Sequence, residues 1–210
     1  MTYGEVRDAA LQLINQYTIA GDKIAPTYNN QQDYLNRIPF LVNDAQMYIA
    51  TTAKRIPAST PLSRLAYTEA GRWRIYRMPG DFFQFHNLSA LVIHGHEPTR
   101  VPFLRTEGSS QFMLSPGVPE DSIIDYYRYP NALAAEPADS EELDNTIETH
   151  QAIPYYVAAH IVMQDDPYQQ ASLYNEFETR MSRLGTPVTV EHIPIADSYA
   201  FGLTSHIGGY

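Results

Sequence analysis

The chain has 210 residues, enough for one large domain or two small ones with a real core. Its formal net charge is −10, and all of it falls in residues 131–210, where twelve acidic groups meet only Arg180 and Arg183; residues 1–60 and 61–130 each sum to zero. That distribution excludes the basic stripe of a nucleic-acid binder and a polybasic membrane anchor, and zero cysteines exclude disulfides and thiolate metal sites.

In chain order, the first element is an amphipathic helix. Val6, Ala9, Ala10, Leu13, Ile14 and Tyr17 share one face, Thr2 and Glu5 fit a capping box, and Gly21 fits the stop. Asn29 or Asn30 caps a second helix with Tyr34, Ile38, Leu41, Val42, Ala45, Tyr48, Ile49 and Thr52 on its face. Pro39 inside that run predicts a kink or a break. Pro57 and Pro61 end the helical region. From 62 to 130 the period falls to two. Trp73 and Ile75 alternate with Arg72, Arg74 and Tyr76. Phe83 and Phe85 alternate with Phe82, Gln84 and His86. Leu91, Val92 and Ile93 form a short buried run, and Ile124 and Tyr126 alternate with Ile123, Asp125 and Tyr127. Turns at Pro79-Gly80-Asp81, Gly108-Ser109-Ser110 and Pro116-Gly117 separate them, which predicts an antiparallel sheet or small sandwich.

Residues 131–139 read as a linker rich in Ala, Pro and acid. Helix returns with Ile147, Ile153, Tyr156, Val157, His160, Ile161 and Met163 on its apolar side and Pro154 inside. Asp166 and Pro167 then open a last helix that buries Leu173, Phe177, Met181 and Leu184, pairs Glu176 with Arg180, and stops at Gly185. Residues 186–210 hold Pro187, Pro194 and Gly208-Gly209, and read as an extended tail with one strand at Val188–Ile195. Ile38-Pro39-Phe40-Leu41-Val42 echoes Ile153-Pro154-Tyr155-Tyr156-Val157, by chance or as two kinked helices side by side. The helices flanking the β region must meet or leave their apolar faces wet. The expected fold is therefore α+β: a bundle of about four helices from 1–61 and 140–185, an inserted antiparallel β-sandwich-like domain at 62–130, and a tail at 186–210.

Chemistry has weak support. His94-Gly95-His96 has metal-ligand spacing, but Arg100 and Val101 stand where a cupin carboxylate would follow. A metal hydrolase would rest on those two imidazoles alone. Asp166 reads as a helix cap, and Glu141-Glu142-Leu143-Asp144 as acids preceding a helix, where negative charge suits the dipole. His160 reads as a satisfied core or interface histidine. No G-x-S-x-G, G-x-G-x-x-G or P-loop occurs. Trp73, Tyr76, Phe82, Phe85, Tyr126, Tyr127 and Tyr129 offer either a sugar-stacking platform or the core of a small sandwich. No catalytic, cofactor or metal residue is assigned. Sixteen tyrosines and twelve arginines against only Lys23 and Lys54 fit surfaces that become interfaces; drift toward arginine codons accounts for the bias equally well. No stretch nears the roughly 20 apolar residues of a membrane span. Residues 1–8 lack the basic and apolar regions of a signal peptide, so an intracellular protein, or one assembled inside a cell, is expected.

Leu13 to Tyr17, Pro26 to Pro39, and Asn43 to Ala50 resemble the opening of tailed-phage neck proteins. Ile153 to His160, Asp165 to Tyr168, and Tyr174 to Glu178 are similar to the closing helices of phage head-to-tail adaptors. The resemblance covers about half of the chain, the helical half. It implies a virion structural protein of the phage neck, made in the host cytoplasm. It also implies a homo-oligomeric ring, usually of twelve copies, below the portal. Such a ring extends the DNA channel, carries tail or stopper proteins, and lets double-stranded DNA pass without specific binding; neither cofactor nor membrane is involved. On this resemblance Tyr155, Tyr156, His160, Tyr174 and Phe177 pack subunits together, and Ile193, Ile195, Tyr199, Phe201, Leu203 and Tyr210 dock the tail on the portal. The acids Glu141, Glu142, Asp144 and Glu148 are expected to face the channel and repel phosphate. The alternative function is a virion or surface carbohydrate-binding module using the aromatic β domain.

Overall fold

The structure, a computed structural model, describes residues 1–14, 30–94, 97–105, 110–163 and 165–184. Among these residues, four helices and two antiparallel sheets make it α+β. Helix α1 (Tyr3–Leu13) opens on the expected capping box: Glu5 N–H donates to Thr2 Oγ1 at 3.3 Å, and Thr2 N–H donates to Glu5 Oε2 at 2.9 Å. It ends at Leu13, capped by Ile14; Tyr17 and the expected stop at Gly21 lie outside the described residues. Helix α2 (Asn30–Thr52) runs unbroken through Pro39 and buries Tyr34, Ile38, Val42, Ala45 and Ile49. Packing on that stripe overrides the local cost of proline.

Helix α3 (Ile153–Val162) begins where the sequence placed an internal proline. Pro154 sits in the first turn, where its missing N–H costs nothing. The residues before it form a 3-10 turn (Ile147–Thr149), and Ile147 is 78% exposed rather than on an apolar face. The echo with α2 is therefore one of sequence alone, since Pro39 is mid-helix and Pro154 is terminal. In helix α4 (Pro167–Arg183), Asp166 Oδ1 accepts from the N–H groups of Tyr168 and Gln169, both at 3.0 Å. Glu176 pairs with Arg180 at 2.9 Å, and Leu173, Phe177 and Met181 are buried. The helices share one core with Leu133 and Leu143.

The β unit begins earlier than predicted. Strand β1 (Ile56–Pro61) pairs with a late strand, Ile123–Arg128, placing Ile56 opposite Arg128 and Pro61 opposite Ile123. Two prolines in six residues disguise it. Both are tolerated because β1 lies on the sheet edge, and their spacing of four turns both ring nitrogens to the same side. The remaining strands are β2 (Tyr67–Ala70), β3 (Trp73–Arg77), β4 (Phe82–His94), β5 (Glu97–Pro102), β6 (Leu104–Arg105), β7 (Gln111–Leu114) and β8 (Ile123–Arg128). One sheet runs β1-β8-β4-β5 and the other β2-β3-β7-β6. They share a core of Leu62, Tyr76, Phe85, Phe103, Phe112, Leu114, Val118, Ile124 and Tyr126. Ile124 and Tyr126 point inward as expected. On β3 the inward residue is Tyr76 and not Ile75, because Tyr76 stacks on Phe112 at 5.4 Å between centroids. Apolar side chains on both faces of β3 left the alternation without a unique phase.

The segment between the units is a strap, not a free linker. Asn43 on α2 bonds both main-chain groups of Leu133, at 2.8 and 3.0 Å. Tyr3 N–H donates to Glu141 O at 2.8 Å and Gly4 N–H to Asp139 O at 3.0 Å. Arg7 holds the Asp139 carboxylate with two guanidinium nitrogens, at 2.5 and 3.1 Å. A Cβ on Gly4 would meet Asp139 atoms at 3.0 Å, so the missing side chain is what lets the strap lie this close.

Candidate functional site

Two constructed places emerge among the described residues: an aromatic cluster in the bundle, and the junction where strap, bundle and β unit meet. The first gathers four of the five residues expected to pack subunits, Tyr156, His160, Tyr174 and Phe177. Phe177 is fully buried, with Tyr48, Tyr156 and Tyr174 rings 5.7, 5.2 and 5.8 Å away. Its packing is thus spent inside its own chain. Tyr156 stacks on His160 at 4.0 Å, and His160 meets the Tyr174 edge at 6.0 Å. His160 Nδ1 lies 2.8 Å from Tyr156 O, and Arg37 donates to His160 O at 3.3 Å. Burial pushes the Tyr174 hydroxyl up to about 12, with Tyr48 and Glu178 adding to the effect, so Tyr174 is a neutral phenol at ordinary pH. Tyr155 points to another surface. The Arg180 guanidinium lies 4.2 Å from its ring, and Nη2 donates to its hydroxyl at 3.1 Å. That pair borders a shallow groove of about 400 Å³ with Leu13 and Pro154. Nearby, Asp165 accepts from the Tyr34 hydroxyl at 2.5 Å. That bond, more than burial, pushes Tyr34 up to about 12. The Asp165-Asp166 pair is therefore fully explained as one tyrosine acceptor and one helix cap.

At the junction, the Asp144 carboxylate takes Arg128 Nη1 at 2.5 Å, Arg128 Nη2 at 2.6 Å and Asn131 N–H at 2.6 Å. Burial alone would raise its pKa; the guanidinium and the amide outweigh that and hold it below the ordinary carboxylate value. Gln46, fully buried on α2, accepts from Asp144 N–H at 2.9 Å through its side chain and from Asn145 Nδ2 at 3.1 Å through its main chain. His150 is also buried. Its Nδ1 accepts from the Met1 ammonium at 2.8 Å, and its Nε2–H faces Asn145 O at 2.8 Å. Burial lowers its pKa, and the ammonium works the same way against a partial rise from Asn145. The junction is a fastening, and charge pairing there is directional enough to fix how the strap joins the two units.

Asp144 is therefore matched by Arg128, and Glu148 by Lys54 at 3.0 Å. Of the four acids expected to face the channel, Glu141 and Glu142 are in no ion pair among the described residues, and the run leads into a 3-10 turn rather than directly into an α-helix. The sequence alone assigns no role at the junction to Gln46, Asn43 or Arg128. Their partners are about 90 residues away for Asn43 and Gln46, so no local pattern marked them.

The aromatic platform divides. Tyr76, Phe85 and Tyr126 lie in the β core. Trp73 and Tyr127 are half-exposed, each under an arginine: Arg72 at 5.7 Å and Arg55 at 5.1 Å. Gly95, His96 and the tail residues Ile193, Ile195, Tyr199, Phe201, Leu203 and Tyr210 lie outside the described residues. Among the described residues, no cluster of three His, Asp or Glu side chains is placed to hold a metal ion. Among them, too, no helix is long and apolar enough to cross a membrane. Large apolar side chains remain on the surface, including Phe40 at 60%, Met47 at 40%, Met163 at 50% and Tyr168 at 91% exposure. Comparison with protein-family models found no match, and neither did comparison with curated proteins.

Proposed function

We propose that this chain is a virion structural protein, a head-to-tail adaptor whose copies form a ring below the portal, extend the DNA channel and connect the capsid to the tail. The observation that carries the reading is how its parts are joined. Helices from both ends of the chain form one core and hold a β unit by a tethered strap, while aromatic and Met side chains stay exposed. A rigid body with unspent apolar surface suits assembly work. Residues 1–184 contain that core without the tail. Deleting residues 186–210 is expected to leave the melting temperature unchanged and abolish the joining of tails to filled heads. A truncated chain that still joins heads contradicts the docking role of Ile193, Ile195, Tyr199, Phe201, Leu203 and Tyr210.

A further inference from the structure

The described surface carries two unlike charge patches with no ion pair between them. Residues 131–148 hold six acids and no Lys or Arg. Three of the six are matched inside the chain, by Arg7, Arg128 and Lys54, leaving Glu136, Glu141 and Glu142. This strap is tied at Leu133 to Asn43, which sits on α2 between the exposed Phe40 and Met47. The result is an apolar pair beside an acidic border.

The opposite arrangement occurs on the β2–β3 hairpin. Residues 62–78 hold four arginines against Glu69 alone. Arg74 is engaged with Glu120 at 3.7 Å, while Arg64, Arg72 and Arg77 are exposed and in no ion pair with another described residue. Strand β2 is a sheet edge with all four residues exposed, Tyr67 at 42%. Tyr67 packs on Tyr76 and bonds Glu120, and Arg72 lies over the Trp73 ring; an edge with surface Tyr, Trp and Arg has the residue types that dominate interface energies.

We infer that the partner of the β2–β3 hairpin is a second copy of this chain. Arg64, Arg72 and Arg77 of one copy seat against Glu136, Glu141 and Glu142 of the next, and Tyr67 covers the Phe40–Met47 pair. The two patches differ, so the contact is head-to-tail, and repetition closes a ring or extends a filament. The inference deepens the ring reading above, but its test needs no portal. It also assigns the strap's free charge to a neighbour rather than to the channel. Exposed ion pairs are individually weak and screened by salt; the contact is therefore salt-sensitive, with the apolar centre supplying the rest.

The experiment is sedimentation velocity of the full chain at 20 µM or above, in about 20 mM and about 500 mM salt. The wild type is expected to self-associate in low salt and shift at least tenfold toward monomer in high salt. R64E/R72E/R77E and E136R/E141R/E142R are each expected to stay monomeric with unchanged circular dichroism. Mixed one to one they should associate again, because each reversed patch then meets its complement. A monomeric wild type in low salt, or variants that still associate alone, or a mixture that stays monomeric overturns the inference. Failure of the adaptor reading would show separately, as no association with portal by a chain that passes this test.

Discussion

Replacing Asp144 with Ala removes the carboxylate that ties Arg128 on β8 to the Asn131 N–H of the strap, while the main-chain bond from Asp144 to Gln46 on α2 remains. Both side chains of the Arg128–Asp144 pair are only about one-fifth exposed, at 19% and 20%. Three bonds are lost: two to the guanidinium and one to Asn131 N–H. Arg128 keeps one partner, the Tyr129 carbonyl at 3.1 Å. Breaking a fully buried pair costs about 3–5 kcal/mol. With a fifth of each group still in water, about 2–4 kcal/mol is expected. At about 2–4 °C per kcal/mol for a chain of this size, melting falls by roughly 4–16 °C. Asp144→Asn keeps an acceptor for Asn131 and should lose about half as much. The acid limb carries a second signature. The folded carboxyl sits below its unfolded value of about 3.9, so its contribution is present above that pH and is lost as pH falls through the folded value. Asp144→Ala should therefore flatten the acid unfolding limb. Thermal and urea unfolding of wild type, Asp144→Ala, Arg128→Ala and the Asp144→Ala/Arg128→Ala double variant complete a double-mutant cycle. A coupling below about 0.5 kcal/mol, or an unchanged melting temperature in Asp144→Ala, refutes the fastening role.

Phe177→Ala should cost about 3–5 kcal/mol by urea unfolding, because a fully buried ring with three aromatic neighbours leaves a cavity. Gly4→Ala gains about 1 kcal/mol of helix propensity, yet its Cβ meets Asp139 main chain at 3.0 Å; net destabilisation of about 1 kcal/mol is expected, and a stabilised variant would show the strap is free to move. His150 is neutral in the fold and its pKa is lowered, so the unfolded chain takes the proton first as pH drops below about 6.5. Stability should fall from that pH down to the folded value, and His150→Gln should lose this dependence when melting is followed between pH 7 and 5.

Local signals were the readable part of the sequence. Thr2 with Glu5, and Asp166 with Pro167, marked helix starts because a cap bonds only to its own first turn. The stripes of α2 and α4 followed from period alone. The strap was read as a linker because it is held by bonds to Tyr3, Gly4 and Asn43, which lie about 90 residues or more away and leave no composition signal. Strand β1 was hidden by Pro57 and Pro61, whose tolerance depends on being at a sheet edge. Of the candidate site, the aromatic residues were found, but whether they face a neighbour or their own core was not, since Phe177 reads as apolar either way. Exposed Phe40 and Met47 were equally silent: their surroundings, not their type, set them apart.

The most direct test of the adaptor account is the mass of portal particles purified with and without the full chain at physiological salt. The account predicts one larger particle whose added mass is a whole number of chains, arranged as a ring on the portal face. A portal whose mass is unchanged at saturating chain contradicts it.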